Sequence, residues 1–266
     1  MNIVVCVKYV PDATGDRRFN DADHTVDRVG VDGLLSELDE YAVEEALKIV
    51  ESADGSEGEV TVLTVGPEQA ADAIRKSLQM GAHKGVHVLD DAIHGSDAAA
   101  TSLLLAEAIK KVGAESAWDL VICGMASTDG SMSVVPAMLA ERLGVAQVTF
   151  GSEISVTGDM VSIRRDGDTA TETVEASTPL VLSVTDQSNE PRYPSFKGIM
   201  AAKKKPVETW SLADLGVPAE QVGLAAAWTK VDASAARPPR AAGTIVTDEG
   251  DGAAQLVEFL AGQKFI

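Results

Sequence analysis

The chain has 266 residues, 22 of them basic and 41 acidic, so its formal net charge is −19. This charge repels the phosphates of nucleic acids and anionic membrane surfaces, which argues against a DNA- or RNA-binding protein. Hydrophobic residues make up 45% of the chain and exclude global disorder, whereas aromatic residues make up only 4%. We therefore expect a folded interior built mainly from Ala, Val and Leu.

Short β-branched runs alternate with stretches of helical period in the first half of the chain. The predicted strands are Ile3–Tyr9, Val60–Val65, Gly85–Leu89 and Leu120–Cys123. The predicted helices are Glu37–Ala53, Pro67–Met80, Ser96–Val112 and Val134–Leu143. Apolar strands that alternate with amphipathic helices predict an α/β fold, with a mostly parallel sheet and helices on both faces.

The pattern changes after the fourth predicted helix. Runs of alternating polarity separated by Gly-centred turns predict an antiparallel hairpin insertion at Ile154–Val156, Met160–Arg165 and Thr171–Val174. The remaining predicted segments are a buried strand, a stretch of little periodicity and a last helix, at Pro179–Thr185, Ala219–Thr244 and Gly250–Leu260 respectively. We expect an α/β domain over residues 1–186 and an extended C-terminal arm over residues 187–266, which packs on this domain or on a partner.

The most informative loop is Gly124–Ser133, here called the small-residue loop, which follows a predicted strand and leads into a helix. Ligands bind at the carboxyl ends of strands in open α/β sheets, and a helix N-terminus favours an anion such as a phosphate. The loop matches neither the Walker nor the Rossmann motif. The alternative is an ordinary strand-to-helix loop in which Ser133 caps the helix.

The sequence shows no motif of a catalytic or metal site. It contains no GxSxG elbow, no HExxH and no Cys-x-x-Cys spacing. The carboxylates near the start of the first helix are interpreted as a solvated, dipole-complementing face: Asp39, Glu40, Glu44 and Glu45. His83 and His87 are interpreted as surface residues. We therefore expect neither an acid–base nor a nucleophilic enzyme.

The cysteines and the first residues of the chain indicate the cellular compartment in which we expect the protein. Cys6 and Cys123 both lie in apolar runs, and buried free thiols suit a reducing compartment. The first residues lack the pattern of a signal peptide, and no run of about eighteen apolar residues occurs. We expect a cytoplasmic protein without direct membrane insertion.

The second unusual stretch is Asn189–Lys205, here called the Pro-braced segment. Pro191 and Pro194 hold its start out of a helix, and it places four large side chains close together: Tyr193, Phe196, Ile199 and Met200. In a chain so poor in aromatic residues, this suggests an exposed anchor that enters a partner's pocket. The alternative is that these residues fold back on their own sheet. Lys203–Lys205 is interpreted as a solvated turn, with a local basic clamp as the alternative.

The Pro-braced segment resembles the recognition loop of the electron transfer flavoprotein beta subunit family. The resemblance is carried, in order and spacing, by Asn189-Glu-Pro-Arg-Tyr193, Ile199-Met200 and Lys203–Lys205. Other stretches that resemble family motifs are Ile3–Asp12, Asp39–Ala46, Gly66-Pro67, Leu78–Ala82 and Asp119–Gly124. Several independent motifs recur in one order over residues 1 to about 215, so the resemblance is specific. The C-terminal arm is matched only loosely.

This resemblance implies an electron carrier subunit and not an enzyme by itself. A beta subunit forms a heterodimer with an alpha subunit, on which the C-terminal arm would pack. The pair carries one FAD, held mainly by alpha, and shuttles electrons from acyl-CoA dehydrogenases of fatty acid β-oxidation to a membrane quinone reductase. The beta subunit resembles an adenine-nucleotide-binding α/β domain and buries an AMP of structural use.

The resemblance also implies site residues. Those implied to bind the nucleotide are Cys6, Ser36, Glu37, Leu38, Asp39, Val65, Gly124, Met125, Ala126, Ser127, Thr128, Asp129, Gly130, Ser131, Met132, Ser133, Val134 and Val135. Those implied to dock a partner are Arg192, Tyr193, Phe196, Ile199 and Met200. Phe196 stands where the family has its apolar anchor, usually leucine.

The chain departs from the family pattern at three places. The family often has Asn-Pro where this chain has Ser36-Glu37, and Lys-Gln where it has Met125-Ala126. At Val134-Val135 the family often has Gln with a small residue. Backbone N–H groups and Ser131 or Ser133 would then contribute more to holding a phosphate. Some relatives bind a second FAD in this pocket and bifurcate electrons, which is an alternative to AMP.

Two further alternatives belong to other classes of protein. One is a free-standing nucleotide-binding regulatory protein of universal-stress type, which has no use for the Pro-braced segment or for a long arm. The other is an ATP-cleaving ligase or pyrophosphatase, which expects a Ser-Gly-Gly-x-Asp-Ser type phosphate loop that this chain lacks.

Overall fold

A computed structural model describes residues 1–15, 17–52, 58–235, 238–240 and 242–266 of the chain. These residues form two compact units, Met1–Asp232 and Ala233–Ile266. The first unit contains all of the described strands. It therefore contains the whole of the predicted α/β sheet.

The strands of the first unit have the following bounds, in chain order: β1 (Asn2–Cys6), β2 (Tyr9–Pro11), β3 (Gly33–Leu35), β4 (Glu59–Val65), β5 (Lys84–Val88), β6 (Leu120–Gly124), β7 (Ala146–Thr157), β8 (Met160–Asp166), β9 (Thr171–Ser177), β10 (Leu180–Val184) and β11 (Val207–Trp210). Within the described residues, nine of them form one sheet in the order β11-β5-β4-β1-β6-β10-β7-β8-β9. Neighbours from β11 to β7 are parallel, whereas β7, β8 and β9 pair antiparallel. The prediction of a mostly parallel sheet with an antiparallel insertion is confirmed.

Helices cover both faces of this sheet. The helices of the first unit are α1 (Glu37–Ser52), α2 (Ala71–Met80), α3 (Ala98–Glu115), α4 (Val135–Leu143), α5 (Phe196–Ala202), α6 (Leu212–Leu215) and α7 (Gly223–Ala226). The second unit contains α8 (Gly252–Gly262). Short 3-10 turns lie at Glu68–Ala70, Asp91–Ile93 and Ala219–Gln221. The predicted end of the first helix, Ala53, lies outside the described residues.

The two faces of the sheet bury separate cores because successive side chains of a strand point to opposite faces. Ile3 and Val5 of β1 pack with α1 and α2. Val4 and Cys6 pack on the other face with α3 and α4. Most of the side chains that fill these cores are Ala, Val and Leu, as the composition predicts.

Three elements differ from the prediction for identifiable reasons. β7 is twelve residues long because it pairs with both β10 and β8, and a register shift near Gly151 hides its alternation. β11 is a four-residue edge strand with mostly exposed side chains, so it has no apolar run. α5 begins soon after Pro194 because Ser195 caps it through the backbone N–H of Gly198.

The second unit carries α8, which begins two residues after the predicted start at Gly250. Its large apolar side chains are exposed, among them Leu256, Val257 and Phe259. In the part of the chain that the structure describes, no helix has the length and apolar character needed to cross a bilayer.

Candidate functional site

The carboxyl ends of neighbouring parallel strands bring the predicted nucleotide residues together at one side of the sheet, here called the strand edge. Cys6 ends β1, Val65 ends β4 and Gly124 ends β6. Cys6 is in register with Cys123, and the start of α1 at Ser36–Asp39 lies against Gly124. Residues far apart in the sequence therefore meet where the α/β topology predicts a ligand.

Gly124 lies too close to α1 to carry a side chain. A Cβ built on it would lie 2.7 Å from Oδ1 of Asp39 and 2.8 Å from the backbone oxygen of Leu38. Oδ2 of Asp39 accepts a hydrogen bond of 2.8 Å from the backbone N–H of Lys8. Asp39 therefore ties the start of α1 to the ends of β1 and β6.

The interpretation of the α1 carboxylates as a solvated face is wrong for three of them. Asp39, Glu44 and Glu45 are buried, and only Glu40 is partly exposed. Burial raises the pKa of Asp39 to about 7, although backbone N–H groups of Lys8 and Gly124 and the charge of Lys8 act in the opposite direction. The helical pattern of the sequence does not reveal this burial, because contacts with residues distant in the sequence bury these carboxylates and the helix itself does not.

The small-residue loop has an unusual backbone. Ser131 and Ser133 have φ values of 52° and 57°, in the left-handed region that is costly for residues other than glycine. Such turns direct successive N–H groups into an anion-binding concavity. The alternative in which Ser133 caps the helix is wrong, because the residue before α4 is Val134 and no side chain in the described ranges caps the helix. The start of α4 thus keeps N–H groups that a ligand could use.

Two basic side chains converge on this loop, and the sequence analysis missed both. Nζ of Lys8 lies 2.8 Å from Oδ1 of Asp129 and 3.3 Å from Oγ of Ser127. Arg28 binds the other oxygen of Asp129, whose side chain is only 3% exposed. Burial raises the pKa of Asp129, but Lys8, Ser127 and Arg28 outweigh burial and lower it to about 2. Lys8 lies two residues after the end of β1 and could have been found from that position, whereas Arg28 has no local signal.

Two buried groups complete this edge. The hydroxyl of Ser36 is fully buried and has no hydrogen-bond partner among the described residues, so a ligand atom or water would satisfy it. The Cys123 thiol has a raised pKa because of its hydrogen bond to Cys6 and its burial, so it stays protonated. Together, the uncapped start of α4 and the unpaired hydroxyl of Ser36 fit a phosphate-bearing ligand.

Along the Pro-braced segment, four of the five predicted docking residues are exposed, and Arg192 is partly exposed. The exposed fractions are 92% for Tyr193 and 80% for Phe196, with Ile199 and Met200 less exposed. The alternative in which Phe196 folds back on its own sheet is therefore wrong. The guanidinium of Arg192, in contrast, binds Glu44 and Glu51 of α1.

Two further interpretations of polar residues are wrong for one residue each, His87 and Lys205, whereas Lys203 and Lys204 are exposed as a solvated turn requires. His87 is buried in β5, with Nε2 3.0 Å from the backbone oxygen of Gly66. Nζ of Lys205 donates to the backbone oxygens of Leu78, Gly81 and Ala82, so this residue closes the end of α2. No group of three potential metal ligands occurs in the described ranges.

Comparison with known proteins places the chain in a family. The family model of the electron transfer flavoprotein domain matches residues 23–215. The electron transfer flavoprotein subunit beta of Mycobacterium bovis is 50% identical over 267 residues, covering 100% of this chain and 99% of that protein. The subunit beta of Megasphaera elsdenii is 34% identical over 273 residues, covering 100% of both chains. Subunit CarD of the caffeyl-CoA reductase-Etf complex of Acetobacterium woodii is 36% identical over 247 residues, covering 93% of this chain and 92% of that protein. The chain therefore belongs to the family of electron transfer flavoprotein beta subunits, which are electron carrier subunits and not enzymes.

Proposed function

We propose that this beta subunit binds AMP at the strand edge, helps to enclose an FAD held mainly by an alpha subunit, and docks acyl-CoA dehydrogenases. Electrons would pass from these dehydrogenases through the heterodimer toward a membrane quinone reductase. The observation that carries the nucleotide proposal is the small-residue loop, with left-handed Ser131 and Ser133 ahead of the uncapped α4. When bound, FAD supplies the electron-carrying chemistry.

Different groups at the strand edge would bind different parts of AMP. Backbone N–H groups of the small-residue loop and of the start of α4 would bind the phosphate. Lys8 and Arg28, which already meet at Asp129, would add positive charge beside it. Ser36 would donate its free hydroxyl to the ligand. Nucleotide that binds only the folded chain would stabilise it by mass action.

A second FAD in the same pocket is the alternative candidate. The similarity to subunit CarD favours this candidate, because that relative is named as a subunit of a complex of an electron transfer flavoprotein with caffeyl-CoA reductase. The same strand edge would then bind the diphosphate of FAD in place of the phosphate of AMP. An isolated subunit that carries stoichiometric flavin would support this candidate.

Heterodimer formation is tested by expression with and without an alpha subunit. Exposed apolar side chains on α8 support the proposal that the last part of the arm, Ala233–Ile266, packs on alpha. The subunit alone should be colourless, and the co-expressed pair should be yellow and elute as a heterodimer. A chain that stays monomeric in the presence of an alpha subunit would instead favour a nucleotide-binding regulatory protein of universal-stress type.

Docking is tested by Phe196→Ala in the heterodimer. An aromatic anchor in an apolar pocket contributes about 2–4 kcal/mol, so dehydrogenase binding should weaken roughly 30-fold to 1,000-fold. The melting temperature should barely change, because Phe196 is exposed. Phe19→Ala, which removes an exposed phenyl ring outside the Pro-braced segment, is the matched control. An unchanged apparent affinity of Phe196→Ala for the dehydrogenase would contradict the docking role.

A further inference from the structure

The side chain of Arg192 binds two carboxylates of α1 through four hydrogen bonds. Nε and Nη2 donate to Glu44 at 2.7 and 3.0 Å, and Nη1 and Nη2 donate to Glu51 at 2.7 and 2.9 Å. A guanidinium has five N–H donors, so a partner protein could reach at most one that is still free. Arg192 therefore faces its own subunit and not a docking partner.

Glu44 also holds the backbone of the Pro-braced segment. Oε2 of Glu44 accepts a hydrogen bond of 3.1 Å from the backbone N–H of Arg192. Three residues earlier, the amide of Asn189 donates to the backbone oxygen of Tyr41 and to Oε2 of Glu45. The start of the segment is thus fixed to α1 at two positions, and the side chain of Glu44 is only 8% exposed.

The other end of the segment is fixed to α2. A Cβ on Gly198 would lie 2.5 Å from the backbone oxygen of Gln79, so α5 and the end of α2 are in close backbone contact. Lys205 adds its three hydrogen bonds to backbone oxygens at the end of α2. The exposed side chains of Tyr193 and Phe196 lie between these two anchored ends.

We infer that Glu44 is a positioning residue for docking, which acts through Arg192 to hold Tyr193 and Phe196 in their docking geometry before a partner arrives. A loop that is ordered in advance loses little entropy on binding, so the anchor keeps more of its contact energy. A buried carboxylate needs a partner, and Arg192 supplies one with a planar, bidentate fit that lysine lacks. This inference rests on the proposed docking function.

Hydrogen exchange on the heterodimer tests the positioning role without any docking partner. Arg192→Lys keeps the charge but loses the bidentate geometry, and Glu44→Gln removes the buried charge. Both should speed amide exchange over residues 192–200 on the order of tenfold, since hydrogen bonds to charged groups are the strongest in this segment. Glu40→Gln on the same helix, which loses only the longer contact to Lys76, is the matched control. Unchanged exchange in Arg192→Lys would overturn the inference, whether or not docking occurs.

A double-mutant cycle with an acyl-CoA dehydrogenase then tests the link to docking. Arg192→Lys should raise the KM for the heterodimer about tenfold and leave kcat and FAD content unchanged. In the Phe196→Ala background this increase should disappear, because the positioned anchor is already gone. An increase that persists in full would show that Arg192 acts independently of the anchor and would overturn the inference. If Phe196→Ala itself has no effect on KM, the proposed docking function fails, and the exchange experiment still decides the positioning role.

Discussion

Asp39 and Gly124 approach each other so closely that a Cβ on Gly124 would lie 2.7 Å from Oδ1 of Asp39. They lie 85 positions apart in the sequence, at the start of α1 and at the end of β6. The contact joins the two segments that the family resemblance assigns to a nucleotide. It also requires glycine at position 124, because the atoms around the missing Cβ include backbone atoms of Leu38 that cannot move aside.

Gly124→Ala should therefore destabilise the fold and weaken nucleotide binding together. Overpacking against a fixed backbone costs about 1–3 kcal/mol, which chemical unfolding measures directly. Gly243→Ala is the matched control, since nothing lies within 4 Å of a Cβ there. A Gly124→Ala protein with wild-type stability and full nucleotide content would show that this contact is not needed.

Asp39→Asn should change the pH dependence of stability between about pH 4 and pH 7. Burial raises the pKa of Asp39 in the folded state to about 7 from 3.8, so the folded chain holds a proton that the unfolded chain has lost. Folding stability should thus fall as pH rises through this window, by up to about 1.4 kcal/mol per pH unit, and level off above it. Asparagine cannot titrate, so the difference in unfolding free energy between wild type and variant should slope only within this window. A difference that stays flat from pH 4 to pH 7 would rule out a raised pKa at Asp39.

Asp129→Asn should change the pH dependence of the free energy of unfolding at the acid end of the pH range. The pKa of Asp129 is lowered from 3.8 to about 2, so its contribution to stability is full above about pH 4 and is lost as pH falls through 2. At neutral pH the variant should lose about 1–3 kcal/mol, less than for a fully buried pair because Lys8 is 41% exposed. Asp159→Asn in a surface turn is the control, and unfolding curves at pH 3 and pH 7 are the measurement. An equal loss at both pH values would contradict the ion-pair account.

The central part of the fold could be predicted from the sequence because the signals for its strands and helices lie within each segment. The runs that became β1, β4, β5 and β6 are short and rich in β-branched and apolar residues, and the helices between them have a clear 3.6-residue period. β11 was missed because an edge strand buries little and needs no apolar run. Only the neighbouring strand β5 makes it part of the sheet.

The candidate site was predicted less completely because its side chains are brought together by topology. The strand-end rule located Gly124, and composition singled out Phe196. The burial of Asp39, Glu44 and Glu45 could not be read from a helix start rich in carboxylates, since only packing against distant segments creates it. Arg28 likewise reaches Asp129 from 101 positions away.

The most direct measurement is the identity of the nucleotides released when the purified heterodimer is denatured. Chromatography and mass spectrometry of the released fraction should find AMP and FAD in equal amounts, with AMP lost in Gly124→Ala. FAD alone at twice the amount of heterodimer, or no adenine nucleotide besides a single FAD, would contradict AMP binding at the strand edge.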